Sequence, residues 1–130
     1  MKSSEIFSLA VITRNHENFI LETLESIRSQ DYDPLELIVI DDKSDDETPN
    51  LVERWLKENK NRFYNVIFIV HDIHRGISYS HTEACKNSNG KYFKYIGGDD
   101  ILLRDALKNM VEFLENGKQI GNYCRGRRCL

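Results

Sequence analysis

The chain contains no apolar run approaching the roughly 20 residues that a membrane-spanning helix needs. No extended apolar core follows Met1-Lys2-Ser3-Ser4-Glu5, so a secretory leader is not visible and a cytosolic location is expected. Cysteine is scarce: Cys85, Cys124 and Cys129 are an odd set without framework spacing, which argues against a disulfide scaffold. Cys124 and Cys129 lack the further ligands of a zinc site, and Cys85 lies in a helical pattern and reads as a small buried hydrophobe. Glycine is missing from the loop Thr13–Asn18, which excludes the Gly-X-Gly-X-X-Gly turn of a dinucleotide oxidoreductase. The acidic run Asp41–Glu47 has neither the central glycine nor the alternating ligands of a calcium loop. Positive charge is not in excess: the net charge of −3 argues against a nucleic-acid partner. There are no internal repeats and no low-complexity linker.

What is present is a soluble-type composition, 40% hydrophobic and 30% charged, over 130 residues, the size of one domain with one core. Ile6–Ile12, Leu35–Ile40, Val66–Val70 and Tyr92–Ile96 are short apolar runs that read as buried strands. Between them lie amphipathic stretches. Phe19–Gln30 carries Ile20, Leu21, Leu24 and Ile27 at helical spacing, with Asn18 as its expected cap. A second helix is expected with Thr48 as its cap and Pro49 at its first position, where proline is favoured, and it turns Leu51, Val52, Trp55 and Leu56 inward. Ser78–Ser88 and a stretch marked by Leu107, Met110, Val111 and Leu114 are the third and fourth helices. Strands alternating with helices predict an α/β fold of three layers, a mainly parallel sheet flanked by helices.

In such sheets ligands bind outside the carboxyl ends of the strands. The strand Tyr92–Ile96 runs into Gly97-Gly98-Asp99-Asp100, where two glycines remove side-chain bulk and two carboxylates follow. By itself this stretch reads equally as a glycine turn whose acids favour the next helix terminus. The second strand, however, runs into Asp41-Asp42, so two acidic pairs far apart in sequence are predicted on one rim, with Thr13–Asn18 and His71–Gly76 beside them. Hard oxygen ligands there suit Mg²⁺ or Mn²⁺, ions that usually accompany a substrate's phosphates. The histidines His16, His71 and His74 read as solvated loop residues.

Taken in order, the segments Ser8–Asn15, Glu22–Ile27 with Gln30, Leu37–Thr48, Arg75-Gly76-Ile77-Ser78, Gly90-Lys91-Tyr92 and Gly97–Asp100 resemble the donor half of family 2 glycosyltransferases of the GT-A fold. The resemblance covers roughly residues 6 to 115. It implies a nucleotide-sugar-binding, Rossmann-like half that takes a UDP- or dTDP-sugar and passes the sugar to a glycan or lipid-linked acceptor. It also implies that Thr13 and Arg14 line the base pocket. Asp42, beside Asp41, would accept from a uracil N–H or shape the ribose site. Asp99 would be the metal ligand, and Asp100 would contact the ribose, the metal or its waters. Asn15, Glu17, His81 and Gly98 complete the implied nucleotide-binding set.

Two departures from the family pattern stand out. Gly97 replaces the first carboxylate of Asp-X-Asp, and His81 stands where an arginine near the diphosphate is usual, leaving Arg75 as another phosphate contact. The resemblance places the catalytic base and the acceptor site in a second half beyond these residues. The expected organisation is therefore a nucleotide-sugar-binding half over 1–117 and a basic tail over 118–130, read as disordered or as a truncation or frameshift scar. The chain alone is then expected to be inactive. The competing reading is a non-catalytic nucleotide-binding domain that self-associates, a homodimer through apolar surface left uncovered. The expected location is cytoplasmic, with a peripheral place at the inner face of a membrane.

Overall fold

The computed structural model describes the backbone of residues 2–116, 123–124 and 127–129, and the side chains of residues 5–116. The four expected strands form: β1 (Lys2–Thr13), β2 (Asp33–Asp41), β3 (Asn65–Val70) and β4 (Tyr92–Gly97). The helices are α1 (Ile20–Arg28), α2 (Thr48–Asn59), α3 (Ile77–Asn87) and α4 (Ala106–Glu115). Two short strands follow, β5 (Tyr123–Cys124) and β6 (Arg127–Cys129). The sheet order is β3-β2-β1-β4-β6-β5. All pairings among β1 to β4 are parallel, β6 joins β4 in parallel, and β5 is antiparallel to β6. Most of the expected tail, 118–130, lies outside the described residues.

Side-chain alternation along the central strands builds two cores. Leu9 and Val11 of β1, Leu37 and Val39 of β2, and Tyr92 and Ile96 of β4 face a large cluster. Leu24 and Ile27 of α1, Val52 and Trp55 of α2, and Leu107, Val111 and Leu114 of α4 cover it. The intervening residues Ala10, Ile38, Ile40 and Phe93 face the other way and meet Ala84 and Cys85 of α3. Three layers result: α1, α2 and α4 on one side, the sheet, and α3 on the other. α3 lies opposite α1 and α2 because the chain reverses direction across the sheet. It steps outward from β1 through β2 to β3, then returns through α3 to the far side of β1, and crossovers of one hand put those two passages on opposite faces.

Local details depart from the sequence expectations. Asn18 does not cap α1; the His16 carbonyl accepts from the Phe19 and Ile20 amides at 2.9 and 2.8 Å instead. Thr48 is the first residue of α2 rather than its cap, and Asp46 Oδ1 accepts from the Thr48 amide at 2.9 Å and the Thr48 hydroxyl at 2.6 Å. Cys85 is buried as expected, but it is disulfide-bonded rather than free.

One charged side chain is wholly enclosed at the entry edge of the sheet. Glu36 of β2 has no exposed surface. It accepts from Ser8 Oγ at 2.7 Å, Asn65 Nδ2 at 3.0 Å, and the backbone amide and Nδ2 of Asn89, both at 2.8 Å. Burial alone would raise its pKa, but the Asn89, Asn65 and Ser8 donors outweigh burial and lower it. Its contribution to stability is therefore present above the ordinary glutamate value and lost as pH falls through the folded one. Glu36→Ala orphans donors from three elements at once and is expected to cost about 2–4 kcal/mol, read from urea unfolding near neutral pH. A loss below about 0.5 kcal/mol would show that this cluster does not hold the strand ends.

Candidate functional site

The strand order reverses beside β1, and that is where open parallel sheets leave a crevice at their carboxyl ends. The backbone register aligns the three loops there: Thr13 is level with Asp41, and Ile12 with Gly97. Hydrogen bonds continue past the strands, from the Asp42 amide to the Thr13 carbonyl at 2.9 Å and from the Gly98 amide to the Ile12 carbonyl at 3.1 Å. Both acidic pairs thus stand at one end of the sheet, with Thr13 between them.

The turn after β4 fits against the loop after β1 only because Gly98 has no side chain. A Cβ there would lie 2.3 Å from Thr13 Oγ1 and 2.8 Å from His16 Nδ1. The Gly98 carbonyl accepts from Thr23 Oγ1 of α1 at 2.9 Å. Asp100 closes the turn, its Oδ2 accepting from the Gly97 amide at 2.7 Å. Asp99 is left exposed, with Oδ2 3.9 Å from His16 Nε2.

The loops after β1 and β2 are laced together. Asn15, whose φ of 57° is left-handed, donates from its amide to Ser44 Oγ at 2.9 Å and accepts the Asp45 amide at 2.7 Å. The Glu17 amide reaches Asp46 at 3.2 Å, and the Glu17 carboxylate accepts the Glu47 amide at 3.1 Å. Arg14 is exposed, 3.8 Å from Asp45. Buried Asp41 is bound by Ser44, whose amide donates at 2.9 Å.

Asp42 is engaged more fully than its expected role requires. Its carboxylate, almost wholly buried, accepts from His71 Nδ1 and the Arg75 amide at 2.8 Å and from the Gly76 amide at 2.9 Å, and His74 Nε2 lies 3.1 Å away as an ion-pair partner. Gly76 has φ 93°, which a side chain would strain, and that conformation turns its amide to Asp42. Asp42 therefore anchors the loop between β3 and α3, and a nucleobase N–H would have to share the carboxylate with these donors. His71 is buried rather than solvated, and its Nε2 meets Glu83 Oε1 at 2.6 Å. Two ionised carboxylates on one ring are both served when each ring nitrogen carries a proton, which assigns the imidazolium form to His71. His74 is exposed but held by Asp42. His81 packs its ring edge-on against Phe93 and Tyr95, with centroids 5.6 and 4.7 Å away.

Comparison with known proteins identifies the lineage. The family model described as Glycosyl transferase family 2 matches residues 8–129. The chain belongs to glycosyltransferase family 2. It is 28% identical over 119 residues to the Escherichia coli UDP-Glc:alpha-D-GlcNAc-diphosphoundecaprenol beta-1,3-glucosyltransferase WfaP, covering 92% of this chain and 45% of WfaP. Among solved structures, Staphylococcus aureus TarS 1-349 in complex with UDP is similar with a TM-score of 0.74 and 28% identity, over 85% of this chain and 32% of that one. The mannosyltransferase PcManGT from Pyrobaculum calidifontis, in complex with GDP-Man and Mn²⁺, gives 0.77 and 29%, over 83% and 32%. This glycosyltransferase family 2 chain spans less than half the length of these relatives, and its sheet and helices have the GT-A architecture.

The His71 cluster generates a pH test. Burial would lower the His71 pKa, but the hydrogen bonds its ring donates to Asp42 and Glu83 outweigh burial and raise the value above the ordinary 6.5. Burial would raise the Asp42 pKa, but His71 and the Arg75 and Gly76 amides bring it below the ordinary 3.8. The His71 contribution is complete below the unfolded histidine value and lost as pH rises through the folded one; the Asp42 contribution is lost as pH falls through its own. In an NMR titration His71 is expected to titrate above an unstructured histidine, and Glu83→Gln to lower its midpoint. A His71 midpoint at or below the ordinary value would refute the imidazolium assignment.

Proposed function

We propose that this chain binds the nucleotide part of a UDP- or dTDP-sugar within a transferase that passes the sugar to a glycan or lipid-linked acceptor. The observation that carries the reading is the meeting of the β1 and β4 loops where the strand order reverses, with exposed Asp99 at the junction and the family pattern running through both. The UDP complex of TarS supports the uridine donor by kinship, and the GDP-Man and Mn²⁺ complex of PcManGT supports a nucleotide-sugar site with a divalent ion. The undecaprenol-linked acceptor in the name of WfaP supports a lipid-linked acceptor. Such an acceptor would hold the enzyme at the inner face of a membrane, although no helix among the described residues is long and apolar enough to cross one.

The residues divide the work. Thr13 and Arg14 line the base side of the crevice, and Asn15 and Glu17 fix that loop to the β2 loop. Asp41 shapes the floor through Ser44. Asp42 governs the loop that closes the base side. Gly98 lets backbone approach the ligand. Asp100 spends one oxygen on its own turn and leaves the other for a ribose hydroxyl or a water.

The donor chemistry fits Mg²⁺ or Mn²⁺. Asp99 offers an exposed hard oxygen, and among the described residues no three metal-ligating side chains stand together. Diphosphate and water would complete the shell, the manner in which such ions bind with one or two carboxylates. The ion, when bound, supplies Lewis-acid stabilisation of the charge on the departing nucleoside diphosphate. The acidic rim by itself repels a diphosphate, and Asp99 reverses that sign only through a cation.

Calorimetric titration of UDP, dTDP and GDP, in Mn²⁺ and in EDTA, tests this. Metal-dependent binding of UDP or dTDP is expected. Asp99→Asn is expected to weaken it at least about tenfold, roughly 1.4 kcal/mol, while Asp42→Asn weakens binding with or without metal. Equal binding by wild type and Asp99→Asn in Mn²⁺ removes Asp99 from the site, and a preference for GDP overturns the donor assignment.

A further inference from the structure

We propose that His16 is a second protein ligand of the divalent ion at Asp99, supplying from the β1 loop the donor that Gly97 does not provide. This rests on the nucleotide reading above. Three observations carry it. First, His16 is fixed from both sides of its own backbone: its amide donates to Thr48 Oγ1 at 3.0 Å, and its carbonyl accepts the first two amide bonds of the α1 region. Second, its ring is wedged over Gly98, with Nδ1 2.9 Å from Thr13 Oγ1, in the space a Cβ at Gly98 would claim. Third, Nε2 is the ring nitrogen left over, and it faces Asp99 Oδ2 at 3.9 Å.

That separation is too long for a hydrogen bond but suits a shared ion. Two donors each about 2.1 Å from one cation lie about 3.0 Å apart at right angles and about 4.2 Å apart when opposed. Asp99 is half-exposed and free to rotate, whereas His16 is pinned, so the carboxylate makes the adjustment. A ligating imidazole donates its other N–H to an oxygen, which fixes the tautomer. Thr13 Oγ1 is that oxygen here. The Arg14 amide also donates toward Nδ1 at 3.4 Å, a long and exposed bond that is given up to water when Nδ1 carries the proton. An imidazole nitrogen in the shell shifts selection from Mg²⁺ toward Mn²⁺.

The test is pulsed electron paramagnetic resonance on the full chain with Mn²⁺ and UDP, with histidine carrying ordinary nitrogen or ¹⁵N. A histidine nitrogen coupling is expected in wild type and its loss in His16→Ala. Mn²⁺ affinity in the presence of UDP is expected to fall about tenfold in His16→Ala, more than UDP affinity falls in EDTA. His16→Asp is expected to restore ion binding and to move the preference back toward Mg²⁺. An Mn²⁺–UDP complex without histidine nitrogen coupling, or a coupling that survives in His16→Ala, overturns this assignment alone. A chain that forms no Mn²⁺–UDP complex overturns the nucleotide reading and this one with it.

Discussion

The parallel pairing of β1 with β2 on one side and β4 on the other is the constraint on which the rest depends. It levels Thr13 with Asp41 and Ile12 with Gly97, so three loops leave the sheet within about one residue of the same height. The register is enforced from inside the protein. Tyr92 and Ile96 belong to one core and Phe93 to the other. A slip of one residue in β4 would send each to the wrong face. It would also carry Gly98 away from Thr13 and His16. Packing in the middle of the sheet therefore sets the geometry at its end.

Two buried carboxylates secure the opposite ends of that sheet. Glu36 gathers β1, β3 and the segment before β4 at the entry edge, and Asp42 gathers the β3–α3 loop at the exit edge. Burying a charge is costly unless donors replace the lost water; Glu36 has four and Asp42 three, with the His74 ring beside them as an ion-pair partner. The donors come from distant parts of the chain, so each carboxylate joins elements that hydrophobic packing alone would let slide.

Much of this was legible in the sequence. The four apolar runs and the four amphipathic stretches became strands and helices because burial imposes its period on the residues themselves. The convergence of Asp41, Asp42, Asp99 and Asp100 on one end followed from parallel topology. The extension of β1 back to Lys2 was not legible, since Lys2-Ser3-Ser4-Glu5 carries no apolar signal. Nor were the histidine roles. His71 meets carboxylates at positions 42 and 83, and His16 meets Thr13, Gly98 and Asp99; those partners are set by tertiary contact, not spacing. The sequence also made Asp42 look like a free acceptor, because nothing local announces the amides of Arg75 and Gly76.

Those three donors on Asp42 bear on the thermodynamics of recognition. A ligand N–H that took the place of one of them would exchange one hydrogen bond for another. The heat released would then be small. The displaced loop segment would recover conformational freedom, and a favourable balance would rest on that entropy. A loop released in this way changes the shape of the rim wherever the base is seated, so the chain would report the presence of a nucleoside along the backbone from His71 to Gly76.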